Sequence, residues 1–135
     1  MSLGWVLGVI AAVAGSFALG ALWYHPRVFG AAWMRLARVT PEAASRAARY
    51  RSRAALFECG IVGVLALAIF SLRAQVGYSL LSTLMLVGVV WGGVVFPVLL
   101  QDTLRSGRSL ALLGVDVGFL FVQFLLLGTL AWFFA

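Results

Sequence analysis

Residues 3–27 read LGWVLGVIAAVAGSFALGALWYHPR, and no charged side chain precedes Arg27. A run of this length needs a solvent that tolerates it. A membrane-crossing helix takes about 20 apolar residues. The two tryptophans that bracket the run, Trp5 and Trp23, are spaced for about 27 Å of helix, close to the hydrocarbon thickness of a bilayer. Indole and phenol rings favour the membrane–water interface, so Trp23-Tyr24 marks one surface. The residue before a proline is pushed out of helical geometry, so His25-Pro26 ends the span there. A cleaved signal peptide is disfavoured because the run has no basic residue ahead of it and cleavage would leave the arginines that follow to be translocated.

The rest of the chain repeats the pattern. Three further apolar runs, at about 54–72, 78–100 and 109–134, join the first at about 3–24, and 64% of the 135 residues are hydrophobic. Soluble domains are about half apolar. The expectation is an all-α integral membrane four-helix bundle, a single membrane domain over residues 1–135, with an arginine-rich helical segment at 25–53 between the first two spans.

All ten basic residues are arginines, against four acids. Arg27, Arg35, Arg38, Arg46, Arg49, Arg51 and Arg53 fall between the first two spans, Arg105 and Arg108 between the last two, and Arg73 alone on the other side. Basic loops remain cytoplasmic, which predicts both termini outside and argues against insertion in both orientations. The arginines abut apolar runs and carry no nucleic-acid fold signature, so anionic lipid of the inner leaflet is their expected partner and nucleic acid is not.

Within 25–53, Phe29, Trp33 and Leu36 recur at helical spacing, which predicts a short helix in the headgroup plane, apolar face down. Thr40-Pro41-Glu42 restarts a helix, with threonine as N-cap and proline in the first turn. Without a break it would run from Pro41 to about Leu72. Arg35, Arg38, Arg46, Arg49 and Arg53 are the expected headgroup contacts.

Small residues recur every four positions in the first span at Gly4, Gly8, Ala12, Ser16 and Gly20, and in the last at Gly114 and Gly118. Such strips let helix backbones approach closely, within a bundle or between copies. In the third span Pro97 lacks an N–H and disturbs the turn behind it, around Gly92 and Gly93.

Charges inside a span are costly and call for partners. Glu58 lies about one turn into the second span, Asp116 roughly 10 Å into the fourth by helical rise, and Asp102 closes the third. With His25 and Arg27 they share the cytoplasmic half, which predicts one polar cluster in which Arg27, with His25, pairs with Glu58 or Asp116. Cys59 is the single cysteine, so no internal disulfide and no zinc set are available. One histidine, no lysine and no nucleophile or phosphate-loop motif argue against an enzyme, and no cofactor is expected. Two functions remain. The first is a non-enzymatic protein that self-associates or serves as an accessory subunit of a larger membrane complex; the second is a small proton- or cation-coupled transporter or channel using Asp116 and Glu58.

The stretch from Gly20 to Gly30, with Trp23-Tyr24-His25-Pro26, Phe29-Gly30 and then Trp33-Met34, resembles the hallmark of family 1761 of the domains of unknown function. That family's pattern is a first span ending G-x-x-W-Y-x-P, then F-G and W-M, and an N/D-x-G-Y/F motif in its last span. Asp116-Val117-Gly118-Phe119 stands at the last position. The resemblance covers essentially the whole chain. It implies a four-span, mostly bacterial membrane protein, hence a bacterial cytoplasmic membrane, and favours Trp23, Tyr24, Pro26, Phe29, Trp33 and Asp116 as the positions to test, for folding or for a ligand.

Overall fold

A computed structural model describes residues 2–76 and 79–135. The expected start of the third span at Tyr78 lies outside these residues. Seven α-helices and two π-helical turns are formed among the described residues: α1 Leu3–Trp23, a π turn Pro26–Gly30, α2 Ala31–Leu36, α3 Pro41–Arg49, α4 Arg51–Val76, α5 Leu80–Val90, a second π turn Trp91–Val95, α6 Phe96–Ser106 and α7 Leu110–Phe134. Four of the resulting rods, with α5 and α6 continuous through their π turn, are long and apolar enough to cross a membrane. The chain is an all-α, multi-pass membrane bundle.

Side-chain caps fix the helix starts. Ser2 Oγ accepts from Trp5 N, Thr40 Oγ1 from Ala43 N at 3.1 Å, Ser79 Oγ from Ser82 N at 3.0 Å and Ser109 Oγ from Ala111 N at 3.2 Å. Each satisfies a donor that the first turn leaves without a helical partner. The helix continuous from Pro41 does not form. It breaks at Tyr50, whose φ of −105° and ψ of 6° separate α3 from α4. α3 buries no residue, so no packing surface holds it in line with α4. The span then begins earlier than its apolar run, at Arg51, and extends beyond Leu72.

Pro97 acts on the turn behind it. The second π turn occupies Trp91–Val95, and Phe96 N–H reaches back five residues to the Trp91 carbonyl. A proline removes one ladder hydrogen bond and its ring collides with the carbonyl four residues earlier; widening the preceding turn accommodates both defects.

The fourth rod is the hub. α7 packs against α1, α4, α5 and α6. Its Phe124, Leu127 and Ala131 join Ala12 of α1, Val62, Ala66, Ile69 and Phe70 of α4, and Val87 of α5 in one apolar core. The small strip of α1 is consumed here. A Cβ on Gly8 would lie 2.8 Å from Phe134 Cβ, and one on Gly4 would lie 2.9 Å from the Phe134 carbonyl. Gly20 faces the Phe119 ring at 3.8 Å, and Ala12 and Ser16 are buried. Gly114 differs from the rest of the predicted packing set, with nothing within 4 Å of its Cβ position. The core lies toward the end that holds Phe70 and Phe134, leaving the arginine-rich end to a different kind of packing.

Candidate functional site

At the arginine-rich end the chain reverses from α1 into α2 within a few residues. His25 is extended (φ −65°, ψ 139°), as its place before Pro26 requires, and its Nδ1 accepts from Arg27 N at 3.2 Å. The π turn that follows closes with Gly30 N–H donating to the His25 carbonyl at 3.0 Å. Gly30 is buried, and a Cβ there would lie 2.8 Å from the Tyr24 carbonyl carbon and 2.9 Å from that of His25. Real Cβ atoms do not approach so closely. Only glycine permits a reversal this tight, and the reversal sets Trp33 of α2 beside Tyr24, ring centroids 6.0 Å apart and edge to face.

Both residues then meet α7. The Tyr24 hydroxyl donates to Asp116 Oδ1 at 2.7 Å, and Trp33 Nε1 donates to the same oxygen at 3.0 Å. Trp23 Nε1 donates to the Val115 carbonyl at 3.1 Å, one residue earlier on the same helix. Gly118 leaves room for that indole: a Cβ on it would stand 3.1 Å from Trp23 Cζ2. Phe119, one turn beyond Asp116, packs on Tyr24 at 5.3 Å and Trp23 at 6.4 Å between centroids, and Phe29 packs on Trp23 at 4.6 Å. Trp23, Tyr24 and Trp33 of the first motif thus meet the D-x-G-F helix, and Pro26, Phe29 and Gly30 belong to the turn that brings the two together. Pro26 begins that turn.

Two openings reach Asp116. A cleft of about 400 Å³ is lined by Tyr24, Pro26, Gly30, Trp33, Met34 and Asp116, and its walls are apolar except for the carboxylate. On the other side a void of about 30 Å³ is bordered by Asp116, Asp102, Thr103, Arg108 and leucines of α6 and α7. That is room for a single water molecule, with several polar groups around it.

The predicted polar cluster does not assemble as one unit. Asp116 takes its hydrogen bonds from a phenol and an indole, not from Arg27 or His25, which are exposed. The reason is local: the π turn carries residues 25–28 outward, while the last turn of α1 and the first of α2 aim their rings at α7. Glu58 is exposed on α4, without a hydrogen bond or salt bridge among the described residues, although its charge lies within electrostatic range of Tyr24. Asp102 pairs loosely with Arg108 at 4.0 Å. Trp33 is the other departure. The expected membrane-facing residue turns its polar edge into the bundle. Phe119 and Met34 stand in the quoted motifs but are not among the site residues expected from sequence; the i, i+3 spacing of Asp116 and Phe119 puts them on one helix face and is the available signal for the first.

Fold and site together define a class: four-span membrane bundles in which the end of the first span and the start of the last close an aromatic shell around one carboxylate. The chain belongs to the family described as Protein of unknown function (DUF1761), which matches residues 7–131. No curated protein and no solved structure matches it.

Proposed function

We propose that this is a non-enzymatic protein of the bacterial cytoplasmic membrane, its arginine-rich end cytoplasmic and both termini outside, which binds an organic cation at Asp116. The carrying observation is how Asp116 is held. Two neutral donors fix one carboxylate oxygen and leave its charge uncancelled, and the group stands between an apolar cleft and a water-sized void. A carboxylate in such surroundings calls for a cationic counter-charge. A divalent metal ion would want several oxygen ligands, and the cleft offers one carboxylate among Tyr24, Trp33, Pro26 and Met34. Aromatic walls with a single negative charge suit a lipophilic ammonium or phosphonium ion. Of the two acids considered from the sequence, Asp116 alone fits this role; Glu58 lies outside the cleft.

The test is equilibrium binding of tetraphenylphosphonium to the purified protein in detergent. Wild type should bind, and Asp116→Asn should bind none. Equal binding by wild type and Asp116→Asn would end this reading.

A second reading, association with copies of itself or with a larger membrane complex, is favoured by a separate observation. Gly88 and Gly92, one helical turn apart, and Gly60, Gly63, Gly93 and Gly114 have nothing within 4 Å of their Cβ positions. Cross-linking in native membranes, with Gly88→Leu/Gly92→Leu as comparison, checks it: loss of the cross-linked species in the variant supports association, and unchanged cross-linking removes these glycines as the interface.

A further inference from the structure

The arginines at the charged end are not equivalent. Arg35, in the last turn of α2, and Arg38, two residues beyond that helix, meet Arg108 of the α6–α7 loop around one groove of about 480 Å³, with Leu36, Ser109 and Leu112 also lining it. These side chains come from distant parts of the chain, so the convergence is a product of the fold and not of local sequence. No carboxylate lines the groove. The nearest acidic partner, Asp102, reaches Arg108 only at 4.0 Å, with the two side chains 65% and 48% exposed, which makes a weak pair. The other arginine-lined groove differs: there Glu42 stands beside Arg46 and Arg49. α7 also begins at this groove with no acid in its first turn, so its leading N–H groups add to the positive field.

Three guanidinium groups gathered around a groove without a counter-charge repel one another unless an anion is shared between them. Their planar forks match the oxygens of a phosphate, which can bridge several arginines at once. We propose that Arg35, Arg38 and Arg108 form a phosphate-binding site. Leu36, half-buried, and Leu112, 3% exposed, give the groove an apolar floor beneath its charged rim. That combination fits the boundary between a phospholipid's phosphodiester and its glycerol and acyl portions, and the groove's Leu112 precedes by three residues the Val115 carbonyl that accepts from the interfacial indole of Trp23. Free phosphate has the same recognition chemistry without use for the floor. The site is independent of the Asp116 cleft and of any ligand bound there.

Native mass spectrometry of the full-length protein in mild detergent tests it, with phosphatidylglycerol added in defined ratio and inorganic phosphate as a separate arm. Wild type, Arg35→Gln/Arg38→Gln, Arg108→Gln and the control Arg46→Gln/Arg49→Gln are compared, with helix content by circular dichroism to show that each folds. The expected result is one retained phosphatidylglycerol in wild type and control, with occupancy reduced at least about five-fold in Arg108→Gln and further in the double variant. Inorganic phosphate failing to displace the lipid assigns the site to the headgroup; displacement at low phosphate assigns it to free phosphate, and either upholds the phosphate site. Equal retention by all four proteins with no phosphate effect overturns it. So does equal loss in the Arg46→Gln/Arg49→Gln control, which would reduce the effect to general charge attraction, or the absence of any retained lipid or phosphate in wild type.

Discussion

The Tyr24 hydroxyl and the Asp116 carboxylate, 92 residues apart in the chain, are joined by a 2.7 Å hydrogen bond that ties the end of the first span to the last. Hydrogen bonds to a charged acceptor contribute about 1.5–3 kcal/mol where water is scarce. Tyr24→Phe keeps the ring and its packing on Phe119 and removes only this donor. It should lower the unfolding free energy in detergent by about 1–2 kcal/mol, at the low end of that range because Trp33 still serves the same oxygen. Thermal unfolding followed by circular dichroism measures the change.

Asp116→Asn separates stability from binding. Asparagine keeps a carbonyl oxygen for both the Tyr24 and Trp33 donors but carries no charge. The variant should unfold within about 1 kcal/mol of wild type, because the weakening of two hydrogen bonds to a neutral acceptor is offset by no longer holding an uncancelled charge inside the bundle, while losing cation binding altogether. A variant that fails to fold would show that the charge itself is structural.

Gly30→Ala tests the reversal between α1 and α2. Its Cβ would collide with the backbone carbonyls of Tyr24 and His25, and backbone cannot yield as a side-chain tip can. A loss of about 2–3 kcal/mol is expected, in the upper range for overpacking, together with a red shift in tryptophan emission as Trp33 leaves Asp116. Gly118→Ala, by contrast, meets only the edge of Trp23 at 3.1 Å and should cost about 1 kcal/mol.

The first-span glycine strip and Gly114 should respond in opposite ways. Gly8→Leu places its side chain in the space of Phe70 and Phe134 and should abolish folding, whereas Gly114→Leu faces open space and should leave thermal stability unchanged. Expression level and melting temperature in detergent distinguish the two.

These contrasts mark what the sequence could disclose. Apolar run length gives four spans because lipid imposes it residue by residue, and the caps at Thr40 and Ser109 and the break at His25-Pro26 follow from local backbone chemistry. Those features survive into the structure. The partner of Asp116 is a different matter. Charge alone nominates Arg27, yet what decides is the tightness of one π turn, and that depends on the contact between Gly30 and the Tyr24 carbonyl. The glycine strips show the same limit. Spacing reveals that Gly8 and Gly114 could each admit a neighbour; only the packing of α7 shows that the first is filled from within and the second is not. The break at Tyr50 likewise depends on α3 having nothing to lean on, which composition does not reveal.

Because α7 is the element on which α1, α4, α5 and α6 converge, assembly has an order imposed by biosynthesis. The hub is the last of the four rods to leave the ribosome. Until it arrives, Phe70, Ala12 and Val87 have no Leu127 or Ala131 to close on, and the rings of Tyr24 and Trp33 wait at the interface without their acceptor. The earlier helices therefore reside in the bilayer as a loose, partially assembled set. Late arrival of α7 turns that set into a bundle in a single step, so a chain cut short before residue 110 would be inserted yet unassembled, and a natural target for membrane proteolysis.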